Sequence, residues 1–208
     1  MKRISFVILL VAVLCVGSAG AQDRLPVIPV GKLTEGQKKA VADYKSIRGA
    51  ELEGPPWSVI LRVPDLVVPS LQMRMHNINN SALSPKLTEF AILIAARLLT
   101  SNYEWSIHAP AAVKAGLSPS IIAAIADGRR PEMMIEDEEI LYDFCMELLS
   151  NYSVSDRTYE RALAKFGEAG VVEAAGLEGY YIYIAMIMNV ARSPLPPGER
   201  PALTQFPK

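Results

Sequence analysis

The chain has 208 residues, half of them apolar, and a formal charge of −1. That suits one domain with its own core and excludes fibrous, collagenous and wholly disordered classes, while the near-balanced charge lacks the basic excess of a nucleic-acid binder. Two cysteines and two histidines cannot build a disulfide framework and leave little material for a zinc site.

The first element is a leader. Met1-Lys2-Arg3 is a basic start, Ile4 to Val16 is apolar apart from Ser5, and Ala19-Gly20-Ala21 supplies small residues at a cleavage position. This pattern predicts a secretory signal peptide over 1–21, cut after Ala21, and hence a periplasmic or secreted protein. The apolar run is shorter than the roughly 20 residues needed to span a bilayer, so no stable membrane insertion is expected after cleavage. The remaining chain keeps one cysteine, Cys145, on an amphipathic segment where a lone thiol is expected as core filler. It divides into an extension with one helix (22–53), a helical domain (54–193) and an extended Pro-rich tail (194–208).

Helices dominate the mature chain. Thr34 and Gln37 form a capping box for a helix to about Arg48. Gly54-Pro55-Pro56 breaks the chain, and Ser58 to Val63 is too short to assign. From Asp65 to Asn79 the apolar positions recur at helical spacing, with Pro69 tolerable near the start. Ser84-Pro85 is a cap followed by proline at the first helical position, and Leu87 to Leu99 is apolar on nearly every side, as a buried central helix would be. Ser101 and Glu104 read as a capping box for the next helix, closed by Gly116. Ser118-Pro119 starts a short helix to Ala126. Glu136 to Leu149 opens with acidic residues suited to a helix N-terminus. Ser155-Asp156 caps a helix to Phe166, and Val171 to Ala191 forms an apolar, Tyr- and Met-rich helix interrupted by Glu173, Glu178 and two glycines.

Few side chains here can do chemistry. Glu89 lies inside an apolar run, where it is either a solvent-facing carboxylate near the helix start or a buried acid available for proton transfer. His108 follows Glu104 by four residues and can share its helix face. A hairpin around Ser101 would bring Glu89 towards His108, with an axial offset of roughly 7 Å to be spanned by the side chains. His108 can equally be a satisfied core histidine, and the capping box alone accounts for Glu104. Tyr103 and Trp105 can line a pocket or simply pack. His76 has no evident partner, and the tyrosines and methionines of the last helix suit a core or a subunit interface. No Gly-rich phosphate loop, GxSxG turn or HExxH is present, and no metal-ligand spacing is diagnostic.

The stretch Leu83-Ser84-Pro85-Lys86-Leu87-Thr88-Glu89-Phe90-Ala91-Ile92-Leu93, continued through Ser101-Asn102-Tyr103-Glu104-Trp105-Ser106-Ile107-His108, resembles the carboxymuconolactone decarboxylase family. The likeness extends from about Gly54 to Pro201. It implies the all-α fold of alkylhydroperoxidase D and assembly into dimers, trimers or hexamers. In the peroxidase branch of the family a Glu, a Cys-x-x-Cys pair and a His relay protons. Here Glu89 and His108 stand at the Glu and His positions, but Ser101 and Glu104 stand where the cysteines would be, which argues against a thiol redox cycle. The decarboxylase branch is nearer, with Glu89 and His108 as the acid/base pair, Tyr103, Glu104 and Trp105 lining the substrate pocket, and no cofactor or metal. An exported member would act on a small lactone or acid other than the family's namesake, or serve as a non-catalytic small-molecule-binding or structural relative.

Overall fold

The computed structural model describes residues 23–204; the expected signal peptide and the last four residues of the tail lie outside the described residues. These fold into α-helices and short 3-10 turns, with no strand among them, so the all-α expectation holds. The helices are α1 (Glu35–Arg48), α2 (Pro55–Ile60), α3 (Val67–Asn79), α4 (Pro85–Leu98), α5 (Asn102–Lys114), α6 (Pro119–Ala126), α7 (Glu136–Asn151) and α8 (Asp156–Ala191).

The core is built around α4. Every residue from Phe90 to Ala96 is buried, because its neighbours close on all sides: α5 folds back along it, while α7 and α8 cover its other faces. Its start is set locally. The Ser84 hydroxyl accepts from the Leu87 N–H at 3.4 Å, and Pro85 occupies a first-turn position where no N–H is needed. Replacing Ser84 by Ala should remove this cap and cost about 1 kcal/mol, seen as a thermal midpoint lowered by about 2–4 °C; an unchanged midpoint would show that the cap contributes nothing.

The capping box of α1 forms as expected: the Gln37 N–H reaches Thr34 Oγ1, and Gln37 Oε1 accepts from the Thr34 N–H. Pro69 sits in the first turn of α3, where it disturbs nothing. Gly54-Pro55-Pro56 proves to be a helix start rather than a break. Gly54 takes φ 92°, and the two prolines open α2. A Cβ there would also lie 3.0 Å from the Tyr103 hydroxyl, a contact that Tyr103 would have to shift to relieve.

The longest element, α8, is interrupted at Gly167, whose φ of 70° and ψ of 177° leave helical geometry. It is long and apolar enough to cross a membrane, but in this fold its apolar face packs on α2, α4 and α7. The tail is also held. Asn102 exchanges two hydrogen bonds with the backbone of Leu203, Arg97 donates to the Thr204 carbonyl at 2.7 Å, and Leu203 is buried.

Two polar groups are placed differently from expectation. His76 does have a partner: its Nε2 lies 2.9 Å from Glu173 Oε1, and the same carboxylate accepts from Ser81 and from the Ala82 N–H at the entry to α4. Glu178, which only interrupts an apolar run in the sequence, is 1% exposed within the bundle, and among the described residues no nitrogen or oxygen is hydrogen-bonded to its carboxyl group. Burial lifts its pKa to about 8, with the Cys145 thiol acting weakly the other way. Cys145 is fully buried, and burial beside Glu178 pushes its thiol well above the usual range. A thiol held in that state is packing, as the sequence suggests, rather than a nucleophile.

Candidate functional site

The α4–α5 hairpin brings three sequence-distant polar side chains to one point. Thr100, at φ 50°, turns the chain, and α5 returns along α4 so that His108 meets Glu89. His108 Nδ1 lies 2.7 Å from Glu89 Oε2, so the expected axial offset is bridged by the side chains themselves. On the other edge of the ring, Nε2 lies 3.4 Å from Glu104 Oε2, one helical turn earlier. All three side chains are largely buried, with 12%, 8% and 6% of Glu89, His108 and Glu104 exposed. The ring of Tyr181 meets the imidazole edge-on at 5.1 Å.

This arrangement decides the charge of the ring. Burial disfavours the imidazolium, but hydrogen bonds and charges from Glu104 and Glu89 outweigh it and raise the pKa of His108 to about 9. With a carboxylate at each nitrogen, both N–H groups have an acceptor. At neutral pH His108 is therefore a cationic proton donor rather than a base.

Glu104 departs from the sequence reading. Ser101 precedes α5, but its side chain makes no capping hydrogen bond, so the expected capping box does not form. A buried cation is the stronger partner: a charge-assisted contact is worth more than a neutral cap that water or backbone can replace. Glu104 thus belongs to the polar cluster itself.

Two openings flank the cluster. Glu104 and His108 face a cavity of about 40 Å³ bounded by Pro56, Trp57, Arg74, Tyr180, Tyr181 and Ile184. Glu89 instead lies at an open groove of about 310 Å³ formed with Ile78, Pro85, Thr88, Ala111 and Lys114. The histidine ring bridges the two. Glu89 in the groove and Glu104 in the cavity are linked through its two nitrogens.

The other expected pocket residues lie elsewhere. Trp105 is 5% exposed and packs in the hydrophobic core, not at the cavity. Tyr103 points its hydroxyl at Gly54 and borders a separate hollow of about 300 Å³ with Asn102, Asn189 and Arg192. Both face away because α5 turns Glu104 and His108 inward on one stripe, and residues 103 and 105 fall off it. The sequence offered no local sign of Arg74, Tyr180 or Tyr181 as cavity residues. They come from α3 and α8, and only packing of those helices over α5 brings them in. Among the described residues no group of three His, Cys, Asp or Glu side chains converges as metal ligands. Glu89 and Glu104 approach opposite edges of the ring instead.

Residues 68–131, which span α3 to α6 and contain Glu89, Glu104 and His108, match the Carboxymuconolactone decarboxylase family. The match is narrower than the Gly54 to Pro201 likeness read from the sequence, and it leaves out α7, α8 and the tail. No curated protein matches the chain.

Proposed function

We propose that this chain, whose α3–α6 segment is that of the carboxymuconolactone decarboxylase family, performs cofactor-free acid/base chemistry on a small lactone or carboxylic acid: a decarboxylation or a related proton transfer. The observation that carries the reading is the imidazole of His108 held between two carboxylates at the wall of a cavity. Loss of CO2 breaks a carbon–carbon bond and leaves its electron pair on carbon, spread as an enolate. The Nε2 proton of His108 passes to that carbon, leaving a neutral imidazole with its Nδ1–H still on Glu89. Glu104, in the same cavity, takes a proton where the reaction begins by removing one. The vacated Nε2 faces Glu104 and the cavity, so the ring takes its next proton there, from Glu104 or from water that enters after product leaves, while Glu89 keeps the Nδ1–H in place. Positioned proton transfers of this kind contribute roughly 10²–10⁴-fold each.

A thiol peroxidase reading has less support. Ser101 and Glu104 stand at the cysteine positions of that branch, and Cys145 is sealed in the core. A non-catalytic small-molecule-binding relative is the second reading, favoured by the small cavity: about 40 Å³ gives on the order of three water-sized positions. Export and homo-oligomer assembly belong to the same proposal. Val172, Met186 and Val190 leave an uncovered apolar strip along α8 that suits a subunit contact.

The test is a panel of small lactone and keto acids incubated with the protein in deuterated buffer. CO2 release or deuterium uptake at carbon, faster than in buffer alone, is the expected result. A panel in which acids bind but none reacts would overturn catalysis and leave the binding reading.

A further inference from the structure

Arg74 stands on the wall of the Glu104–His108 cavity. It comes from α3, is half-buried, and among the described residues its guanidinium makes neither an ion pair nor a hydrogen bond. Its charge acts on Tyr180 and Tyr181 across the same cavity, opposing what burial does to both hydroxyls. Five N–H donors in a planar fork thus have no partner among the described residues, and that geometry matches a carboxylate.

The local charge balance leads to the same ligand. Glu89 and Glu104 carry two negative charges against the single positive charge of His108, so this cluster by itself repels an anion. Arg74 cancels the excess and makes an anionic ligand admissible.

We propose that Arg74 seats a carboxylate that the ligand keeps through the reaction, so that the site selects small carboxylic acids bearing a second reactive group over neutral lactones. An ion pair to guanidinium stabilises the carboxylate before reaction, and that stabilisation is lost when neutral CO2 departs, so the anchored group is not the one that leaves. The cavity has room for a carboxylate head and the carbon attached to it. The rest of the ligand projects outward, and the carbon next to the anchor lies on the side of His108 and Glu104. The assignment of a reaction rests on the acid/base reading; the carboxylate seat does not.

The test uses acetate and its neutral counterpart acetamide, titrated into the full protein while the His108 ring signals are followed by NMR. Acetate should give a saturable shift, with acetamide at least tenfold weaker. In the Arg74→Gln protein acetate affinity should fall about 10- to 100-fold, and Arg74→Lys should recover part of it. Equal binding of acetate and acetamide by the unaltered protein, or undiminished acetate binding by Arg74→Gln, would overturn the proposal. The first comparison needs no variant, so a folding defect cannot obscure it. Because this measures binding without turnover, Arg74-dependent acetate binding in a protein inert towards the acid panel would sink the acid/base reading alone. Turnover of neutral lactones unaffected by Arg74→Gln would sink the carboxylate seat alone.

Discussion

Replacing His108 by Gln is expected to lower CO2 release or carbon–deuterium exchange on any reactive acid by 10²–10⁴-fold, the worth of one positioned proton transfer. Glutamine keeps a donor near Glu89 but carries no dissociable proton for the cavity. The same change should also destabilise the fold. It leaves Glu89 and Glu104 facing each other across a buried site with no cation between them, and breaking a buried ion pair by removing one partner costs about 3–5 kcal/mol. The two effects separate by pH. The folded pKa of about 9 lies above the unfolded value of about 6.5, so the histidine's stabilisation is fully present below pH 6.5 and is lost as pH rises through 9. The variant should therefore fall short of the unaltered protein most at pH 6 and least above pH 9. A thermal melt series at several pH values checks this. Equal deficits at both ends, or exchange rates within twofold of the unaltered protein, would contradict the assignment.

The second large effect is a gain. Glu178 is buried with a pKa of about 8, against an ordinary value of 4.5. Between those values the folded protein holds a proton that the unfolded chain has released, so stability falls as pH rises from 4.5 to 8. The accumulated loss reaches up to about 5 kcal/mol. Gln at this position keeps the shape and never ionises. Glu178→Gln should flatten the decline between pH 5 and pH 8 and give a protein at least as stable as the original at pH 8, even after about 1–3 kcal/mol for amide hydrogens without acceptors. Denaturant unfolding at the two pH values decides it, and a variant whose pH profile runs parallel to the original would contradict the buried acid. The alkaline windows of Glu178 and His108 overlap but start apart, near pH 4.5 and pH 6.5, so the two substitutions remove different parts of one curve.

The helical frame and half of the site were legible because their signals are local. Ser84-Pro85, Ser118-Pro119, Gly116 and Ser155 mark element boundaries within four residues of themselves, and the structure uses each as a boundary. The Glu89–His108 pair was legible because a hairpin with one short turn leaves few alternatives for where α5 can lie. What the sequence hid depends on contacts between distant segments. Glu104 carries two local signals, the capping-box pattern with Ser101 and the i,i+4 spacing to His108, and only burial of the imidazole decides between them. Arg74 on an amphipathic helix looks like any surface cation until α8 covers its neighbours. Glu178 reads as an interruption in an apolar helix, because a buried acid has no sequence mark when its surroundings come from α4 and α7. His76 and Glu173 are 97 positions apart and meet only after α3 packs on α8. Pro55-Pro56 misled for a different reason, since the same residues that end a helix also open one when glycine precedes them.

In the proposed reaction His108 donates a proton because two carboxylates hold it as an imidazolium, and its titration tests this most directly. The chain has two histidines, so a His76→Gln protein leaves one ring to follow by NMR from pH 5 to pH 10. The expected half-point lies near pH 9, with both ring nitrogens carrying protons at pH 7. A ring already neutral at pH 7, with a half-point at or below about 6.5, would contradict this and remove the proton donor on which the acid/base reading depends.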